Sequence, residues 1–358
     1  MSNVITLNVP SRRRGLGQRI SGMIESFAHA RRTGDDVFWL KENAELLNIL
    51  ECTGTAIDDD ALVPHAGFLR QVESRIEFFP QYYRFLLSIC LDLEDLGMST
   101  DGQGERLVAW AANCGLPEAE LSDLQRAEAR RLMLRRGVDP MAGDTGLDDR
   151  LRGFIGRTQT FAMPNKKAAY ELTHIVFYLS EYGRRDPILD VSAITSLEFA
   201  GLLAFLDQNA DLLAEVCVAL RYAGRTPSPI WENWLEREIA LFTVTEDDHV
   251  GIADDYHEFF VGNWALAVAG RPAFGKAMGP GRIRFDRAEH SASPLRDISE
   301  CMFRLASARR SDWQSMRPHV ADVLTREGHD ILSEAEASSD KFDSFFAGFA
   351  RTGMRGAQ

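Results

Sequence analysis

The chain lacks most of the features by which a sequence announces its chemistry. No C-x-x-C pair occurs, and the five cysteines Cys52, Cys90, Cys114, Cys217 and Cys301 are widely spaced and odd in number. That pattern predicts reduced thiols in a cytoplasmic protein, neither a disulfide framework nor a zinc knuckle. Nowhere does an apolar run approach the roughly 18 residues of a membrane span, and the N-terminus has no signal-peptide layout. Cationic excess is missing too: the formal charge is -13, so nucleic acid and anionic membrane surfaces are not expected partners. Glycine-rich phosphate loops, a G-x-S-x-G elbow and H-E-x-x-H are all absent, so no nucleotide cofactor is expected and no covalent hydrolase or compact zinc motif is in view.

What is present is a soluble-type composition, 45% hydrophobic and 26% charged over 358 residues, enough to bury a large core. Apolar residues recur at three- and four-residue spacing through at least ten segments, which predicts an all-α protein of paired helices. One such segment is "HAGFLRQVESRIEFF", followed by "QYYRFLLSICLDLEDLG" opened by Pro80 and closed on Gly97. With no fixed-period repeat, an irregular α/α-toroid or bundle-like core is favoured over a solenoid.

Composition divides the chain into a partly flexible basic segment at 1–35, an N-terminal helical region at 36–160 and a central core at 161–270. An irregular loop or lid at 271–297 and C-terminal helices at 298–350 complete it.

Two stretches carry candidate chemistry. In "YELTHIVFYLSEYG" the expected helix 166–182 places Glu171, His174 and Tyr178 on one face, flanked by Tyr170 and Tyr182. In "EDDHVGIADDYHEFFVGNW" six acids from Glu246 to Glu258 accompany His249 and His257 with no basic residue among them. Each has a plain structural explanation, a core histidine in the first and a wet helix start in the second. Asp211 and Glu215, one turn apart in "NADLLAEVCVAL", could likewise serve a helix N-terminus. Taken together they suggest convergence: His174 and His257 with Asp211 or Asp255 would suit zinc or ferrous iron and leave a position open for water or substrate. Glu171 and Tyr178 would then be the proton-transfer or orienting groups. Glu73 and Glu77 lack the E-x-x-H partners of a di-iron bundle, and the aromatics of "EFFPQYYRF" and "SPIWENW" read as helix packing.

The segments "ELTHIVFYLSEYG" and "DYHEFF" resemble those of an uncharacterised family of bacterial helical proteins. The shared positions are Glu171, Thr173, His174, Tyr178 and Gly183, then Asp255, Tyr256 and His257, with Glu181 standing where the pattern has aspartate. The resemblance spans 166–270 and implies an all-helical, toroid-like domain without assigning an activity. The expected function is a metal-dependent enzyme of lyase or hydrolase type acting on a small molecule or peptide. The alternative is a non-catalytic binding or scaffold protein with an acidic surface; the sequence leaves its oligomeric state open.

Overall fold

In the computed structural model, which describes residues 15–58, 60–249, 251–287 and 293–352, the three- and four-residue spacing becomes 18 α-helices among the described residues. Six of them build the centre: α1 (Val37–Cys52), α2 (Tyr83–Asp95), α3 (Asp123–Leu134), α4 (Lys166–Leu179), α5 (Ala210–Tyr222) and α6 (Tyr256–Val268). Their starts are fixed locally. Asp36, Ser122, Asn165 and Asn209 cap α1, α3, α4 and α5 by accepting backbone N–H groups of the first turn at 2.8–3.2 Å. Gly97 and Gly137 take left-handed conformations just beyond α2 and α3, which stops each helix.

Each of these helices packs on the next, and α6 packs back on α1, so the six form a closed ring. Outside it, the helix Val191–Leu206 is apolar almost all round and is buried between α5 and the C-terminal helices Arg326–Ser338 and Phe342–Phe349. A single hydrophobic cluster runs from Ile20 to Ala350, so the regions 36–160, 161–270 and 298–350 share one core.

The structure departs from the sequence expectations in four places. The helix expected over 65–79 is broken into Ala66–Leu69 and Val72–Phe78. Strands were not expected, yet β1 (Thr243–Glu246) pairs antiparallel with β2 (Ile283–Asp286), because Ile283 and Phe285 alternate inward. Consequently 271–297 is not simply a lid: Phe274, Met278, Ile283 and Phe285 are buried in the core, while 288–292 lie outside the described residues. Lastly, the basic N-terminal segment is folded from Leu16 onward; its arginines at 12–14 lie outside the described residues. Ile20, Met23, Ile24 and Phe27 are its buried face. Arg31 turns inward to Glu42 and Asp254, and Arg32 pairs with Glu42 and Asp36. Of the cysteines, all five are free; Cys90, Cys217 and Cys301 are buried, Cys52 is half-buried and Cys114 is exposed. No helix among the described residues is long and apolar enough to cross a membrane.

Candidate metal centre

All six ring helices contribute to one cavity of about 210 Å³ at the middle of the ring. Its wall includes Glu45 of α1, Arg84 of α2, Arg131 of α3, His174 of α4, Glu215 of α5 and His257 of α6. Such convergence of titratable groups from every surrounding element is unusual for a space that packing alone would fill with apolar side chains. A larger hollow of about 650 Å³ lies near Arg225 and Lys341, but neither histidine nor cysteine lines it.

The α4–α5 seam supplies the first half of the site. Residues 170, 173 and 174 share a face of α4 and meet two acids one turn apart on α5. The Tyr170 hydroxyl donates to Asp211 Oδ2 at 2.5 Å, the Thr173 hydroxyl donates to Glu215, and His174 Nε2 stands 3.4 Å from Glu215 Oε1. The other half comes from the start of α6: His257 Nε2 lies 3.3 Å from Asp211 Oδ1, and its Nδ1 contacts Glu45 across the ring. Asp211, Glu215 and His257 can each offer one ligand atom, all within 4.8 Å of one another. Asp211 Oδ1 is buried, and its charge contact with His257 lacks the geometry of a good hydrogen bond.

The charges interact strongly. Burial works against the His257 imidazolium, but Glu45 and then Asp211 outweigh it and push the group up to about 9. His174 moves the same way: burial lowers it and the charge of Glu215 more than restores it. Burial raises the Asp211 carboxyl, with His257 opposing and Glu215 adding to the rise. Nearby, burial takes Glu258 up to about 7 despite the pull of Arg287. Both imidazoles remain open to the cavity, with 40% of the His174 side chain and 39% of that of His257 accessible. Enclosed by helices yet reachable, they are placed to exchange protons or bind a ligand.

Of the residues the sequence singles out, His174, Asp211 and His257 are brought together. Asp255 is not: Arg287 donates its backbone N–H to Asp255 Oδ2 at 3.0 Å, at the mouth of β2. Nor do Glu171 and Tyr178 line the cavity, although the Tyr178 ring packs on His174 with centroids 6.0 Å apart. Burial drives the Tyr178 hydroxyl well above its ordinary range, leaving it a proton donor to hydrogen bonds and not a base. The acid-rich stretch 246–258 finds its counter-charges far away in sequence, Arg31 for Asp254 and Arg287 for Glu258. Sequence reasoning left out Glu45, Glu128 and Arg131. The spacing of Lys41, Glu45 and Asn48 by four and three on an otherwise buried α1 is the signal that could have found the first.

The chain belongs to the family described as domain of unknown function DUF6902, whose model matches residues 1–352. No curated protein and no solved structure matches it.

Proposed function

We propose that the ring encloses a divalent-metal site and that the protein is a metal-dependent enzyme, of lyase or hydrolase type, acting on a small molecule in the cavity. One observation carries this reading: Asp211, Glu215 and His257, from two neighbouring helices of the ring, present ligand atoms that all lie within 4.8 Å of one another. Two carboxylates held this close repel unless a cation lies between them, and His257, 3.3 Å from Asp211 Oδ1, fills that role only while it keeps its proton. Three protein ligands of N and O type fit zinc or ferrous iron and leave room for water or substrate, and the second carboxylate makes manganese acceptable as well.

The surrounding residues support the assignment. With Glu45 accepting the Nδ1 proton, a neutral His257 ring keeps its Nε2 lone pair on the Asp211 side, the arrangement that orients metal-binding imidazoles. Tyr170 and Thr173 hold the far oxygens of Asp211 and Glu215, so neither carboxylate swings freely. A bound dication would polarise a substrate oxygen or lower the pKa of a water. His174, open to the cavity and holding its proton through Glu215, is the side chain best placed to deliver or take a proton, in the role the sequence suggested for Glu171 and Tyr178.

The competing reading is a binding or scaffold module in which His257–Glu45 and His174–Glu215 are ion pairs complete in themselves. Elemental analysis of protein purified without an affinity-metal step decides between them, with H257A and D211N alongside. Near one equivalent of zinc, iron or manganese, lost in both variants, is the expected result. Protein that contains none, and takes up none on reconstitution at pH 8, overturns the metal reading.

A further inference from the structure

On the α3 wall of the cavity stands a buried cation for which no hydrogen-bonded ion pair forms among the described residues, although the charge of buried Asp92 is felt nearby. Arg131 is only 4% exposed, lines the cavity, and neither its Nε nor its Nη2 meets a hydrogen-bond acceptor. Those two nitrogens form the side-on edge of the guanidinium, the fork whose parallel N–H groups match the two oxygens of a carboxylate. The acids nearby are already engaged. Glu128 is held by Arg84; Asp92 accepts from Arg135 at 2.7 Å and from Ser88 at 3.0 Å; Glu51 pairs with Arg184 through Oε1, while its buried Oε2 is unpaired and forms no hydrogen bond to Arg131.

Arg131 is also held in place. Its guanidinium lies 4.1 Å from the centroid of the Tyr182 ring, which stacks in turn on Trp264 at 5.7 Å. Tyr182 reaches this position through a turn in which Glu181, Tyr182 and Gly183 all have positive φ, at 49°, 55° and 84°. Two non-glycine residues in that conformation are strained, and the strain buys an aromatic wall beside the cation. A Cβ on Gly183 would stand 2.5 Å from the Tyr222 ring, so the turn has no slack.

We infer that the Nε–Nη2 edge of Arg131 is the anion seat of this cavity, taking the carboxylate of a small substrate whose body lies against Phe177, Tyr182 and Trp264. The choice of a carboxylic acid as the substrate of the metal site rests on the metal reading; the anion seat itself does not. Size limits the ligand: a cavity of about 150 Å³ holds benzene, and this one, at about 210 Å³, has room for a compact monocarboxylate.

Titration calorimetry with acetate and with benzoate tests this, using benzamide as the uncharged isostere, on wild-type, R131Q and R131K protein, metal-free and zinc-treated. Saturable binding of at least one carboxylate is expected, weakened tenfold or more in R131Q and by an intermediate factor in R131K, which keeps the charge and loses the fork. Benzamide is expected to bind more weakly than benzoate and to be indifferent to R131Q. Should R131Q fail to fold, R131K and the benzoate-to-benzamide ratio in wild type carry the comparison. Absence of saturable carboxylate binding, or binding unchanged by the arginine substitutions, overturns the anion seat. Zinc uptake without carboxylate binding would sink this inference alone, whereas Arg131-dependent binding without zinc uptake would sink only the metal reading.

Discussion

Among the described residues two arginines are buried, Arg31 and Arg131, each laid over an aromatic ring, and they differ in how completely they are satisfied. Arg31, over Phe27, has its Nε on Glu42 at 3.2 Å and both terminal nitrogens on Asp254 at 2.8 and 3.0 Å, with the Ile283 carbonyl as a further acceptor. Arg131, over Tyr182, has an empty fork beside a cavity. The first ties the N-terminal segment to α1 and to the loop before α6; its chemistry is spent on the fold. A buried cation whose donors point at nothing contributes little to folding, so its presence argues for a ligand.

The sharpest way to break the comparison is to remove one partner from each side. D254A leaves Arg31 buried against a single carboxylate and is expected to cost about 3–5 kcal/mol of unfolding free energy. R131M removes a charge that has no hydrogen-bonded partner and only a through-space hold on Asp92, which Arg135 keeps, and is expected to leave stability within about 1 kcal/mol of wild type or to raise it. Urea denaturation of both variants checks the contrast, and a loss in R131M as large as that in D254A would erase it. Next in size is G183A: the left-handed backbone and the clash with Tyr222 predict a loss of about 1–3 kcal/mol, and carboxylate binding weakened along with it because Tyr182 no longer backs Arg131.

A smaller effect concerns the histidines of the cavity rather than its arginine. The folded protein holds the His257 proton more tightly than the unfolded chain, whose imidazole titrates near 6.5, so that proton stabilises the metal-free fold fully below 6.5. The contribution is lost as pH rises through about 9. The thermal midpoint of metal-free protein should therefore fall between those limits, and H257Q should flatten the slope. Zinc affinity should run the other way, rising with pH as the imidazole gives up its proton. The smallest effect is expected at Asp255: D255N should leave metal stoichiometry at the wild-type value, since its carboxylate serves the backbone of Arg287.

Much of the architecture was legible in the sequence because amphipathic spacing survives any detail of packing. The runs behind α2, α4 and α5 and the stop at Gly97 follow from it directly. The strands were hidden because "TVTE" and "IRFD" are too short for their alternation to stand out, and their pairing joins positions about forty residues apart. At the site, His174, Asp211 and His257 could be nominated because a histidine or an acid on an apolar helix is conspicuous. Asp255 was misplaced because two adjacent acids in "ADDYHEFF" look alike until the fold gives Asp254 to Arg31 and Asp255 to the backbone of Arg287. Glu45 and Arg131 stayed hidden because α1 and α3 carry many charges, and only the ring decides which of them face inward.

That ring also has a consequence in time. The contact that completes it, His257 with Glu45, joins residues 212 positions apart, and α6 is the last of the six helices to leave the ribosome. Until it emerges the nascent chain is an open arc whose acids and cations face water, and contacts of such long range close slowly. No N-terminal fragment ending before α6 can close the ring, so the proposed centre would form only once synthesis has passed residue 268 and the two ends of the arc have met.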